Sequence, residues 1–314
     1  MGTNSNTEIK IAFFADNGVT QDAEKVLDAI MTEQDIDQYI FGGDGGYWQK
    51  GPEWVSMMQK YFDDTKKAKL IISQGNHDHK DSEREQEQQV IENWIPSLKE
   101  TPEVGGDQSW EKTRWLTAKQ VDNIYIISMN SQDMDIVFKR NQYNWVMKQL
   151  EIAKDLRNTG KIDWIFVVIH KPWFTLKSHH SPETSVRQIY SAKFVEYGVN
   201  LVLHGHNHNT QLWVPMVVVQ QGPASDAESK QLFEKLPDGT FDFTKPHGQF
   251  FIVSGHGGIQ HGQFIEQASQ NPNIMYTNDI DYGYTLILVS GKQCTVQSKD
   301  VNGQILYEFK VSRG

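Results

Sequence analysis

The stretch Gln38-Tyr39-Ile40-Phe41-Gly42-Gly43-Asp44-Gly45-Gly46-Tyr47 sets an apolar run directly before a glycine-rich turn that carries a carboxylate and a phenol. Residues 38–41 read as a short buried strand, and the glycines behind it let the backbone turn sharply and present Asp44 at the strand's carboxyl end. Alone, a Gly-Asp turn after a strand is ordinary turn chemistry. Its meaning comes from the segments on either side.

Upstream, residues 8–15 put Ile9, Ile11 and Phe13 on one face and run into Asp16-Asn17-Gly18. Ala23, Leu27 and Ile30 follow at the spacing of a helix with one buried stripe, so the pattern predicts a right-handed βαβ crossover with an Asp at the end of each strand. Downstream, 69–73 reads as a third strand, ending in Gly75-Asn76-His77-Asp78. The charged run 82–89 reads as a solvated helix face and 96–114 as a surface loop. Another strand is expected at 123–130, then a long helix from Asn141 that stops near the glycine cap at Gly160. Residues 164–169 are almost wholly apolar, as buried central strands are, and deliver His170. The strand 200–203 runs into His204-Gly205-His206-Asn207-His208, where His204 reads as a packed residue. Beyond it the character turns antiparallel, with strands expected at 211–220, 248–254, 284–290, 295–299 and 305–311. Residues 221–247, polar and rich in Pro and Gly, read as an inserted loop over one face.

A chain of 314 residues can bury one large core or two modest ones. Its net charge of -10 argues against general nucleic-acid binding, yet admits a phosphate substrate where metal cations supply positive charge. No apolar run is long enough to cross a bilayer, and MGTNSNTEIK lacks the basic start and apolar core of a signal peptide, so a soluble chain with no membrane partner is expected. The single cysteine, Cys294, is expected to be buried and inert.

Open sheets of parallel strands gather function at the strands' carboxyl ends, so residues far apart in sequence can meet there without a local motif. Two first-row metals about 3.5–4 Å apart need a shared oxygen ligand, and Asp44, on the second strand between the outer sets, is the natural bridge.

In order, Asp16-Asn17-Gly18, Gly43-Asp44-Gly45-Gly46-Tyr47, Gly75-Asn76-His77-Asp78, Val167-Val168-Ile169-His170 and Gly205-His206-Asn207-His208 resemble the five motifs of the calcineurin-like binuclear metallophosphoesterases. Within them the chain resembles the purple acid phosphatases of the small tartrate-resistant type. The wider superfamily carries histidine where this chain has Gly18; in the purple subgroup the tyrosine of the second motif, here Tyr47, replaces it. Ala15 departs from the subgroup's usual glycine, and the 221–247 insertion departs from the small type.

The resemblance implies an α/β fold, a four-layer α/β/β/α sandwich of two mixed β-sheets flanked by helices. One domain is expected over 1–314, the C-terminal β region 211–314 completing the second sheet. It further implies that Asp16, Tyr47 and His208 hold Fe(III), that Asn76, His170 and His206 hold a second divalent metal (Fe, Zn or Mn), and that Asp44 bridges. A phenolate, being a hard anionic donor, suits ferric iron. His77 is assigned to the phosphate oxygens or to leaving-group protonation, with Asp78 orienting its ring. His179 or His180 matches, by spacing, the family's second such histidine. The implied reaction is phosphomonoester hydrolysis on a phosphorylated small molecule or phosphoprotein. A phosphodiesterase or nucleotide hydrolase on the same site is the enzymatic alternative, and a non-catalytic scaffold is the other, against which the complete ligand set argues.

Overall fold

A computed structural model describes residues 7–78, 85–99, 115–132, 136–176, 178, 180–218, 229–265 and 271–314. His179, most of the 96–114 stretch, residues 82–84 of the charged run and the start of the 221–247 insertion lie outside the described residues.

The chain begins β1 (Ile9–Phe14), α1 (Gln21–Thr32), β2 (Gln38–Phe41), α2 (Gly51–Tyr61), α3 (Asp64–Lys67), β3 (Leu70–Ile72) and α4 (Glu85–Trp94). It continues through β4 (Thr117–Val121), β5 (Ile124–Ser128), α5 (Ile136–Asn158), β6 (Trp164–Val168), α6 (Thr184–Tyr197) and β7 (Leu201–His204). The remainder is strand: β8 (Thr210–Val218), β9 (Ser229–Gln231), β10 (Phe241–Asp242), β11 (Gln249–Ser254), β12 (Ile274–Asn278), β13 (Gly283–Ser290), β14 (Gln293–Asp300) and β15 (Ile305–Ser312).

Two mixed sheets result. One runs β10-β15-β14-β13-β1-β2-β3, the other β12-β8-β11-β7-β6-β5-β4 with β9 beside β8. Their period-2 patterns explain the layering. On β1, Ile9, Ile11 and Phe13 enter a core between the sheets, while Ala12 and Phe14 face a second core under α1, α2 and α4. On β6, Trp164, Phe166 and Val168 enter the same central core, while Ile165 and Val167 join a third core with Val146 and Leu150 of α5 and Val186 and Phe194 of α6. Strands buried on both faces need helices outside them, which gives the α/β/β/α order. Each fully buried Phe or Leu contributes about 1.5–3 kcal/mol to that arrangement. Thr20 caps α1 by accepting from the Ala23 amide, and Gly198, left-handed at φ 65°, ends α6.

The expected βαβ start is present: β1 pairs parallel with β2 (Phe13 opposite Ile40) and β2 with β3 (Ile40 opposite Ile71). The C-terminal strands depart from expectation, dividing between the sheets rather than completing the second. β13 pairs antiparallel with β1, and β14 and β15 follow it, whereas β8, β11 and β12 join β7. Strand alternation specifies a buried face but not which sheet supplies it. The 221–247 insertion is likewise more than a covering loop. β9 pairs with β8 of one sheet and β10 pairs parallel with β15 of the other, and Phe241 and Phe243 enter the core between them. Strands of three and two residues are too short for a periodicity to register. α5 starts at Ile136, ahead of the expected Asn141, and β4 and β12 stand at sheet edges, where mixed polarity conceals them. Cys294 is buried in the central core, and burial pushes its thiol pKa up. Among the described residues no helix is long and apolar enough to cross a membrane.

His204 and His256 are both fully enclosed. His204 Nδ1 lies 2.9 Å from the Ile169 carbonyl with its ring against Trp173 and Phe251, the packed role expected of it, and His256 sits between Ser254 and Ser298. Burial holds each down to about 3. Both rings are neutral in the fold but take up protons in the unfolded chain below its pKa near 6.5. Their contribution is therefore full above pH 6.5 and is lost as pH falls toward 3, at up to about 1.4 kcal/mol per pH unit for each ring. Urea denaturation between pH 7 and 4 should give a shallower acid dependence for His256→Gln than for the parent; identical slopes would contradict this account.

Candidate metal centre

The parallel strands β1, β2, β3, β6 and β7 release their loops at one edge of the sandwich, which brings Asp16, Asp44, Asn76, His170 and His206 together from across the sequence. Asp16 (φ 57°), Asp44 (φ 63°) and His206 (φ 70°) all adopt the left-handed backbone region, a conformation costing about 1–2 kcal/mol for a residue with a Cβ. Packing that over-determines the turns sustains this cost.

Each aspartate divides its oxygens. Asp44 Oδ1 accepts from the His77 amide (2.7 Å), while Oδ2 lies 3.2 Å from the Tyr47 hydroxyl and 3.2 Å from His170 Nε2. Asp16 Oδ2 accepts from the His206 amide (2.7 Å), while Oδ1 accepts from the Tyr47 hydroxyl (3.0 Å) with His208 Nε2 at 3.8 Å. The Tyr47 hydroxyl is also 2.9 Å from His208 Nε2, so the phenol joins Asp16, Asp44 and His208. One ligand atom each of Asp44, His170 and His206 lies within 4.8 Å of the others. The amide oxygen of Asn76 is buried in the turn between Gly75 and His77.

Backbone carbonyls set the imidazoles. His170 Nδ1 lies 2.8 Å from the Gly42 carbonyl and His208 Nδ1 2.9 Å from that of Gln260. Such acceptors hold the proton on Nδ1 and leave Nε2 basic toward the centre. Sequence reading missed both partners, because any residue type supplies a carbonyl. It also missed the close packing of Gly75 on Asp44 and of Gly205 on Asp16: a Cβ on either glycine would fall on the carboxylate. The only signal was that a glycine precedes Asn76 and another precedes His206.

Asp78 requires a correction. Its oxygens accept from the amides of Asp44 (2.7 Å), Gly45 (2.8 Å), Gly46 (3.3 Å) and Gly75 (3.0 Å), so it fastens the second loop to the third instead of orienting the His77 ring. The ring of His77 lies over Tyr47 with centroids 4.2 Å apart. Of the histidine pair that spacing left open, His180 stacks on His206 at 3.9 Å and turns its edge to His208; His179 lies outside the described residues. At the first motif, the ring of Tyr47 occupies the space beside Gly18, where a Cβ would stand 3.3 Å from Tyr47 Cδ2.

Electrostatics favour a cation here. Burial, with Asp44 adding to it and His170 opposing, raises Asp16 well above the carboxylate range. Burial followed by the two aspartates drives the Tyr47 phenol up as well. For Asp44 burial also works upward, but His170, His77 and His206 outweigh it and hold the carboxyl low. Burial would lower His170, yet Asp44 and Asp16 carry it to about 9; His206 is depressed by burial and by His170. The donor set thus buries more anionic capacity than its own side chains neutralise, and among the described residues His206 Nδ1 has no hydrogen-bond partner. Two carboxylates, a phenol, an amide oxygen and three imidazoles fit a pair of metal ions in both number and chemistry.

A fold of two sheets with such a centre at its strand ends defines a metal-dependent phosphoesterase class, and residues 9–210 match the family model of the calcineurin-like phosphoesterases: the chain belongs to that family. Its curated relatives include purple acid phosphatases. It is 22% identical to the Fe(3+)-Zn(2+) purple acid phosphatase 12 of Arabidopsis thaliana, over 57% of this chain and 34% of that protein. It is 25% identical to the tartrate-resistant acid phosphatase type 5 of Homo sapiens, over 57% of this chain and 45% of that one. Among solved structures, the purple acid phosphatase PPD1 from yellow lupin seeds superposes with a TM-score of 0.67 at 12% identity, over 98% of this chain and 54% of that one, a likeness of fold. The matched part spans less than half the length of either curated relative.

Two outcomes follow from this geometry. Because burial favours the protonated forms of Asp16 and Tyr47 and a bound cation favours the deprotonated ones, metal uptake should release protons and weaken on acidification. Calorimetric titration in buffers of different ionisation enthalpy measures this, and pH-independent uptake would contradict it. Gly205→Ala should reduce metal affinity by about 10–100-fold through displacement of Asp16, the range for groups that orient ligands, while circular dichroism reports a folded chain.

Proposed function

We propose that this chain hydrolyses phosphomonoesters at a binuclear metal centre, as an acid phosphatase of the purple type. The observation that carries the reading is the Tyr47 hydroxyl, held within 3.2 Å of Asp16, Asp44 and His208 in the space beside Gly18. Asp16, Tyr47 and His208 would hold Fe(III), and Asn76, His170 and His206 a divalent Fe, Zn or Mn ion. Asp44 Oδ2, which faces both Tyr47 and His170, would bridge them. An anionic oxygen-rich set suits the harder ferric ion, and an imidazole and amide set suits the divalent one. When bound, the pair supplies Lewis acidity that draws charge from the phosphoryl oxygens and acidifies the attacking water.

The chain's own groups do the rest. His77 over Tyr47 and His180 over His206 border the two halves of the donor set. From there they hold phosphate oxygens and return a proton to the departing alcohol. Asp78 keeps the second and third loops in register while this happens. The substrate is a phosphorylated small molecule or a phosphoprotein.

Metal analysis joined to a visible spectrum tests the reading. Iron should be present with a tyrosinate-to-iron charge-transfer band that vanishes in Tyr47→Phe, and p-nitrophenyl phosphate should be hydrolysed. Asp44→Asn should lower kcat/KM about a thousandfold, the loss expected when several kcal/mol of charge stabilisation is removed. A colourless, iron-free active enzyme would overturn the ferric assignment, and equal turnover of bis(p-nitrophenyl) phosphate would overturn the monoesterase one. Absence of both bound metal and hydrolysis would leave the scaffold.

A further inference from the structure

A cavity of about 740 Å³ opens beside His208, with Ser178, His261, Ile265, Asp279, Ile280 and Tyr282 among its walls. Its inner wall is built from the groups that hold the donor set. The Gln260 carbonyl is 2.9 Å from His208 Nδ1, the Gly262 amide donates to the His208 carbonyl at 3.0 Å, and Ser178 Oγ donates to Asn207 Oδ1 at 2.8 Å. A molecule in this cavity would therefore be the near neighbour of a phosphoryl group at the centre. The volume lies in the range of small-molecule sites.

The lining has a definite chemistry. Tyr282 and His261 stack at 4.0 Å and offer flat aromatic surface. Ile265 and Ile280, 69% and 77% exposed, add large apolar side chains to the lining. Among the described residues of the lining Asp279 is the one carboxylate, with one oxygen accepting from the Phe264 amide at 3.0 Å, and none is Lys or Arg. Among these described residues an anionic group would meet a carboxylate and no Lys or Arg, which disfavours a second phosphate or a carboxylate on the substrate. A flat apolar body with a cationic end would cover the isoleucines and pair with Asp279.

We propose that this cavity is a leaving-group subsite that selects phosphomonoesters of aromatic alcohols bearing an amine, against polyphosphates and anionic aryl esters. The inference rests on the phosphomonoesterase reading and deepens it.

The test compares kcat/KM for O-phosphotyramine, phenyl phosphate, the phosphate ester of 4-hydroxybenzoate and ATP on the metal-loaded enzyme, with glycerol 2-phosphate as a substrate too small to fill the cavity. The amine should exceed phenyl phosphate by about threefold to fivefold, the measure of a partly exposed charge pair, and the carboxylate ester and ATP should fall below it. Asp279→Asn should bring the amine-to-phenyl ratio close to one. The double variant Ile265→Ala and Ile280→Ala should lower both aryl esters relative to glycerol 2-phosphate by about tenfold. Both changes are at the surface and leave the core intact. An unaltered ratio in Asp279→Asn, or a preference for ATP or the anionic ester, overturns the subsite while the phosphatase reading stands. If no ester is hydrolysed, glycerol 2-phosphate included, the underlying reading fails. Titration of tyramine into the wild-type and Asp279→Asn chains then decides the cavity separately: binding weakened by the substitution supports it, and absent or equal binding overturns it.

Discussion

The structure around the centre depends on one division of labour: each of two buried aspartates uses one oxygen to fasten a neighbouring loop and turns the other inward. Asp44 takes the His77 amide and Asp16 takes the His206 amide. The second loop is thereby tied to the third, and the first to the fifth, through the residues proposed to bind metal. Left-handed backbones at Asp16, Asp44 and His206 make these directions possible, and glycines at 75 and 205 leave room for the carboxylates. The cost of three such turns is a few kcal/mol, which the large shared cores on both sides of each sheet sustain. Asp78, with four amide donors, completes the fastening without facing the centre.

The same economy leaves an electrostatic debt. Buried carboxylates normally stand against a guanidinium or an ammonium, and here the counterweight is imidazole, chiefly His170. Burial favours the protonated forms of Asp16 and Tyr47. Positive charge must therefore come from outside the chain for the site to be anionic at neutral pH, which is the physical sense of a preformed cation site in a protein of net charge -10. Backbone carbonyls of Gly42 and Gln260 orient the rings of His170 and His208 in advance, so little ordering remains for binding to accomplish.

Strand identity was legible wherever apolar periodicity ended in a polar residue pair, which is why β1, β2, β3, β6 and β7 and the residues that follow them could be read directly. Sheet membership was not. β13 to β15 alternate as well as β8 and β11 do, and only the partner across the gap decides which sheet a strand joins. β9 and β10 escaped because a two- or three-residue strand has no period, although they are what ties the insertion to both sheets. Within the site, side-chain chemistry was readable and backbone chemistry was not: Gln260 matters through its carbonyl and Asp78 through four amides. The histidine at 180 needed a spatial neighbour, His206, to separate it from an exposed loop residue.

Gly18 and Tyr47 show why the absence of a residue can be informative. A side chain at 18 would start 3.0 Å from Ile259 Cδ1 and 3.3 Å from the tyrosine ring, on a backbone already at φ 58°. Imidazole at 18 and phenol at 47 therefore compete for one volume, and exchange between them must be concerted. The exchange also alters charge, since a neutral nitrogen gives way to a group that can bind as an anion. Burial and two aspartates oppose ionisation of that phenol, so binding it as a phenolate, as proposed, calls for a strongly polarising cation. Gly18 thus leaves the Tyr47 ring as the group that fills this volume.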